Sequence, residues 1–332
     1  MPKLKHLSKL LTAFGLLSIN NSFVEQVHVF KIGQGDSVLE YRISLAKDSF
    51  LPYEVIDAQV WAKNVSSIPL QCTLIHLFDF WNISDSNEKT YPKPYISHRS
   101  KYAPFVKPQD STGGIMGIGY GIRDSLNHTI PTFLPTGQYS ARHPRDTLPF
   151  IFYVVEHAGE EAEALTQYLN SYSPTKMEIF IRFSKPVQRE SLLKEKAKNL
   201  FYFSEKFPNS SYAPQALLEA NWMADVGMQH EIIQRLSDYP FPKREYIFLK
   251  LTQAFLGASL EAQLKIIQIF LDQYPESALN LKTQYNSDLF DFLHRSLNFQ
   301  LYRAELERII KTNKNKKIIE AAKEALKKVR TE

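Results

Sequence analysis

His98, His128 and His143 lie close in sequence to Asp110, Asp124 and Asp146. Imidazoles grouped with carboxylates are what a site needs to hold a divalent cation or to activate water. The spacing does not complete that set. None of the nine histidines forms a His-x-x-x-His or His-Glu-x-x-His pair, the spacing that places two imidazoles on one helix face. No Gly-x-Ser-x-Gly elbow occurs. The only cysteine, Cys72, sits in the alternating run Leu70 to Leu77, which reads as a strand with a buried thiol rather than a nucleophile. The glycine run Gly113 to Gly121 lacks a Gly-Lys-Ser/Thr ending, so it reads as a hairpin or bend and not as a phosphate cradle. Glu160, Glu161 and Glu163 charge the first turn of a helix, where the macrodipole favours them, rather than forming a glycosidase pair. The sequence therefore assigns no catalytic residue, no metal ligand and no cofactor, and the chain reads as a non-enzyme.

Aromatic side chains offer a different chemistry. Tyr91, Tyr95, Tyr102 and Tyr120 surround His98 in a stretch rich in turn formers. Placed on loops, they form a candidate ligand site that stacks on a sugar or anchors a peptide. The plain alternative is a satellite cluster folded over a sheet face. The rival to a binding role is a carbohydrate-binding protein or hydrolase with its site in the 82–146 region.

The elements that must position these groups fall into two halves of the 332 residues, a length that suits two domains. From 23 to 157 the apolar period is two. Runs at 23–30, 38–45, 55–62, 68–81, 137–140 and 149–156 read as short strands separated by turn residues, and they predict an antiparallel sandwich with an irregular insertion at 82–133. Phe50-Leu51-Pro52-Tyr53-Glu54-Val55, leading to Lys63-Asn64-Val65-Ser66, resembles the "leucine-proline-glycine-glutamate, strand, asparagine" stretch of bacterial immunoglobulin-like domains. Tyr53 stands where that pattern has glycine. Leu134-Pro135-Thr136-Gly137-Gln138-Tyr139 resembles the approach to their closing strands. The resemblance implies an immunoglobulin-like β-sandwich.

The period changes near 158. Residues 158–188 read as a connecting segment that opens with a helix; within it 177–183 reads as a last strand or as a helix heavy in aromatics. Residues 189–330 form a helical domain. Leu193, Ala197, Leu200 and Phe201 make one apolar stripe. Phe207-Pro208, Tyr239-Pro240 and Tyr274-Pro275 each close a helix-like segment, at spacings of 32 and 35 residues. A period of about 34 residues is that of stacked helix pairs. Phe207 to Leu218, with the small Ala213, Ala216 and Ala220 and the bulky Trp222, resembles the linking stretch of tetratricopeptide-like repeats in bacterial envelope proteins. That resemblance implies a protein-interaction scaffold, with Trp222, Tyr212 and Tyr246 as candidate partner-binding residues.

The two ends carry separate signals. Lys3, Lys5 and Lys9 precede the apolar run Leu10 to Ile19, and Asn20-Asn21-Ser22 follows. This is the layout of a secretory signal peptide over 1–22; an amphipathic first helix of a cytosolic scaffold is the alternative. At 311–332, Ile318, Ile319, Ala322, Leu326 and Val329 share a stripe with lysines opposite, which reads as a solenoid cap or as a basic helix in peripheral contact with a membrane. Forty basic against 35 acidic side chains, with no dense arginine patch, give no nucleic-acid surface. The expectation is an exported, periplasmic or secreted binding or assembly protein with an unidentified protein partner.

Overall fold

The computed structural model describes residues 26–72, 82–91, 105–117, 120–123, 129–132, 134–142, 148–171, 186–275 and 289–329. The expected signal peptide at 1–22, Tyr95, His98, Tyr102, His128, His143 and the run 177–183 lie outside the described residues. The chain builds a β region first and a helical region second.

Two mostly antiparallel sheets make the β region. One has the order β1 (Val27–Gln34), β2 (Ser37–Leu45), β4 (Asp57–Asn64), β9 (Ser111–Gly117). The other runs β3 (Ser49–Phe50), β13 (Phe150–Val154), β12 (Gly137–Arg142), β6 (Asn82–Asp85), β7 (Thr90–Tyr91), with only the β3–β13 pair parallel. Two short ribbons join β5 (Leu70–Gln71) to β8 (Phe105–Val106) and β10 (Tyr120–Arg123) to β11 (Thr129–Thr132). Ile43, Val60 and Ala62 from the first sheet and Phe150, Phe152 and Tyr139 from the second share one buried core, as period-two alternation requires. Cys72 is buried in the same core, its sulfur 3.7 Å from the Tyr41 hydroxyl, and burial pushes the thiol up to about 11. It is a packing residue.

The stretch 82–133 departs from its reading as an irregular insertion. It supplies β6 through β11, and β9 pairs with β4 along its whole length. The glycines explain the misreading. Gly113 lies opposite Trp61, and a Cβ there would come within 2.3 Å of the indole. The strand carries glycine because an aromatic ring from its neighbour occupies that space.

The helix expected to open the connecting segment is α1 (Glu160–Ser171), and its Ala164, Leu165 and Tyr168 enter the helical core. The helices that follow are α2 (Pro186–Lys206), α3 (Ala213–Met223), α4 (Val226–Asp238), α5 (Arg244–Leu256), α6 (Leu260–Gln273), α7 (Leu289–Ser296), α8 (Phe299–Thr312) and α9 (Lys316–Val329). Phe207, Tyr239 and Tyr274 each directly follow a helix end, closing α2, α4 and α6. The proline beside each aromatic lacks the N–H that another turn would need. Glu161 pins the first of these junctions. It accepts from the Ser210 hydroxyl at 2.7 Å and the Ser211 amide at 2.8 Å, so the acidic first turn of α1 also holds a distant loop. On α9, Ile318, Ala322, Leu326 and Val329 are buried in the helical core, so the apolar stripe that a membrane would take faces inward. No described helix is long and apolar enough to cross a membrane.

Candidate functional site

Strand β4 is buried on both faces, which period-two patterning on a half-solvated sheet does not produce. Ala58, Val60 and Ala62 face the β core, while Asp57, Gln59 and Trp61 occupy the alternate positions. Helix α5 covers that second face. The Lys250 ammonium and the Tyr246 hydroxyl both donate to Asp57 Oδ2, each at 2.5 Å. Tyr246 and Lys250 are four residues apart and so share a helix face. The two charged side chains are only 6 % and 8 % exposed, which makes this a buried ion pair. Burial, with the Asp57 charge beside it, holds the Tyr246 phenol far above the usual tyrosine range. Between them in sequence, Phe248 stacks on Trp61 with centroids 6.1 Å apart.

A turn at 51–54 makes the second contact of the seam. The Tyr212 hydroxyl, at the start of α3, donates to the Pro52 carbonyl at 2.6 Å, and its ring stacks on Tyr168 of α1. Tyr53 holds φ at +65°, the left-handed conformation that suits glycine. Tyr53 thus adopts the backbone that a glycine would supply. It also adds a ring that packs with Leu51 against the helical core, which offsets the conformational strain.

Between the two regions the seam opens into a cleft of about 360 Å³, inside the usual size range of ligand pockets and at the domain boundary where such pockets concentrate. Its charged groups are mostly paired with one another. Lys47 meets Glu54 at 2.5 Å, and Lys250 meets Asp57. Burial raises the Glu54 carboxyl, and Lys47 acts against that. Glu219 on α3 is different. Burial pushes its carboxyl up to about 7, opposed by the nearby Lys196 charge and by hydrogen bonds from Gln215 and Tyr168. The Tyr168 hydroxyl lies 3.4 Å from Oε1, while Oε2 is buried with no hydrogen-bond partner. Aromatic rings supply much of the remaining wall. Tyr239 donates to the Ser210 carbonyl at 2.9 Å, and Trp222 stands 61 % exposed.

Gly257 sets the pose of Trp222, because a Cβ there would lie 2.6 Å from the indole. A polar staple fixes the turn that carries the glycine: Asn221 donates to the Ala254 carbonyl, Gln229 donates to the Asn221 carbonyl, and the Ser259 amide donates to Gln229. The indole is therefore held by backbone on one side and open on the other.

Of the candidate partner residues, Trp222 and Tyr246 line the seam cleft together. Tyr212 and Tyr246, expected to face a partner, both reach into the β region and are buried; of the three only Trp222 is presented outward. Tyr91 is on β7, half-buried, its hydroxyl donating to Asp85 at 3.1 Å and its ring against Tyr139. It sits in an edge strand of the second sheet, packed against the β core. Tyr120 begins β10. Among the described residues no cluster of histidine, cysteine, aspartate and glutamate could hold a metal ion. The cleft acids Glu54, Asp57 and Glu219, and Lys250, are residues that sequence reasoning missed. A signal was present: Lys250 interrupts the apolar run Ile247-Phe248-Leu249-Lys250-Leu251, and Asp57 sits inside Val55-Ile56-Asp57-Ala58. A charge inside an apolar run marks a buried partner. No protein-family model matches the chain, and no curated protein sequence does.

Proposed function

We propose that this chain is a non-enzymatic binding or assembly protein that presents the cleft at its β–helical seam to a protein partner. The observation that carries the reading is Trp222: a large aromatic, exposed on the cleft wall and braced by Gly257, is the kind of residue on which binding energy concentrates. The surrounding charges support binding over chemistry, since Lys47–Glu54 and Lys250–Asp57 neutralise each other in pairs.

Within this reading the β region is an immunoglobulin-like sandwich and the helical region a tetratricopeptide-like array. The Tyr139 hydroxyl donates back to the Pro135 carbonyl four residues upstream at 2.6 Å, a bond of the tyrosine-corner type found in such sandwiches. The aromatic–proline closures of alternate helices and the buried Ala213, Ala216 and Ala220 support the array. The basic, then apolar, then polar start over 1–22 supports export to the periplasm or beyond.

The test is co-purification with the tagged full-length chain, comparing wild type with Trp222→Ala. The expected result is a discrete partner that wild type retains and the variant loses. Identical recoveries from both proteins would remove the cleft from the account.

A further inference from the structure

The lining of the seam cleft names the charge of what it takes. Two lysines, Lys47 and Lys250, face three carboxyls, Glu54, Asp57 and Glu219, which leaves one negative charge when Glu219 is ionised. Both lysines are already held by carboxylates at 2.5 Å, so neither is available to an anion. Glu219 has no such partner inside the cleft, and its Oε2 meets no donor although it is buried. A buried acceptor without a donor is costly, and a ligand that donates to it removes that cost. Trp222 is three residues further along α3, so its indole and the Glu219 carboxyl lie on adjoining turns of one helix face. An exposed indole next to a carboxylate is the pairing that attracts a cation by ring quadrupole and by charge together. The chain already stacks cations on rings elsewhere, with Arg235 over Phe201 and Arg244 over Tyr274 at 4.6 Å each.

We infer that the seam cleft is a site for a single ammonium or guanidinium group on an alkyl stem, seated between the Trp222 ring and the Glu219 carboxyl. The assignment rests on the binding function proposed above, which makes a lysine or arginine side chain of the partner its source; a free alkylamine shares the chemistry. The groups facing Glu219 fit this role. Lys196 from α2 favours its ionised form, while Tyr168 from α1 and Gln215 from its own helix hydrogen-bond it without neutralising it.

The experiment is calorimetric or NMR titration of the full-length chain with three probes: N-acetyl-lysine methylamide, its neutral isostere N-acetyl-norleucine methylamide, and n-butylamine. The two amines should saturate, and the norleucine compound should bind at least about tenfold more weakly. Glu219→Gln and Trp222→Leu should each weaken the lysine probe by about tenfold or more. Circular dichroism confirms the fold of each variant, and Trp222 is exposed enough for its replacement to leave the core intact. Lysine amide binding more tightly than butylamine would place the cation on a peptide. The reverse order would keep the cation site while overturning the partner reading. Equal binding of lysine and norleucine probes, unchanged affinity in folded Glu219→Gln, or no saturation by either amine would overturn the assignment.

Discussion

The Lys250 ammonium and the Asp57 carboxylate meet at 2.5 Å inside the seam, 193 residues apart in the chain, so a helix and a strand from different regions share one buried ion pair. Breaking such a pair leaves an uncompensated buried charge, which costs about 3–5 kcal/mol. Lys250→Met and Asp57→Leu should each lose stability of that order in urea unfolding. The double variant should regain more than half of the loss, because apolar replacement of both partners removes the stranded charge. Two single variants each within about 0.5 kcal/mol of wild type would show that the pair does not hold the seam.

Tyr212→Phe isolates the second contact. The ring can keep its stack on Tyr168 while the Pro52 carbonyl loses its donor. An unsatisfied carbonyl at this half-buried seam should cost about 1–2 kcal/mol, again read by denaturant unfolding. A variant as stable as wild type would mean that water replaces the bond.

Two glycine substitutions should behave differently although both crowd an indole. Gly113→Ala presses a Cβ against Trp61, whose ring is fixed by Phe248, so overpacking should cost about 1–3 kcal/mol. Gly257→Ala presses on Trp222, which is exposed and can turn away. Thermal stability should change little there, while affinity for the lysine probe should fall by about tenfold. The reverse pattern would contradict the assignment of Trp61 to structure and Trp222 to binding.

Glu219 predicts a pH dependence. Its folded pKa, about 7, is raised from the ordinary value of 4.5, so its protonated form is favoured by folding. The stability that this provides is complete below about pH 4.5 and is lost as pH rises through about 7, amounting to at most roughly 3 kcal/mol. Glu219→Gln should flatten stability between pH 5 and 8 in a series of unfolding curves. A variant curve parallel to that of wild type would show that Glu219 titrates normally. Amine binding should strengthen over the same range, since it draws on the ionised carboxyl.

Much of the fold was legible because period and punctuation are local. Alternation marked β1, β2, β4, β12 and β13 to within a few residues, and the aromatic–proline pairs marked the ends of α2, α4 and α6. What stayed hidden is non-local. Strand β9 reads as a bend because Gly113 and Gly114 remove the alternating side chains; only the position of Trp61 opposite explains them. Tyr53 departs from the glycine of the resembled turn yet keeps its left-handed backbone, because the helical core gives the ring a place to pack. The cleft was least legible, since its walls come from the stretch between β2 and β4, from α3, and from α5 with the loop before it. Of the candidate partner residues, Trp222 differs from Tyr212 and Tyr246 only through the seam, which no single segment encodes.

The central claim is that the seam cleft, and not the rest of the helical surface, receives a protein partner. A photoreactive amino acid placed at position 222, with Lys323 on the exposed side of α9 as the comparison position, tests it in the full-length chain in its own cells. One discrete cross-linked protein is expected from 222, absent from 323 and reduced by excess N-acetyl-lysine methylamide. The same products from both positions, or a product from 222 that the lysine compound leaves unchanged, would contradict it.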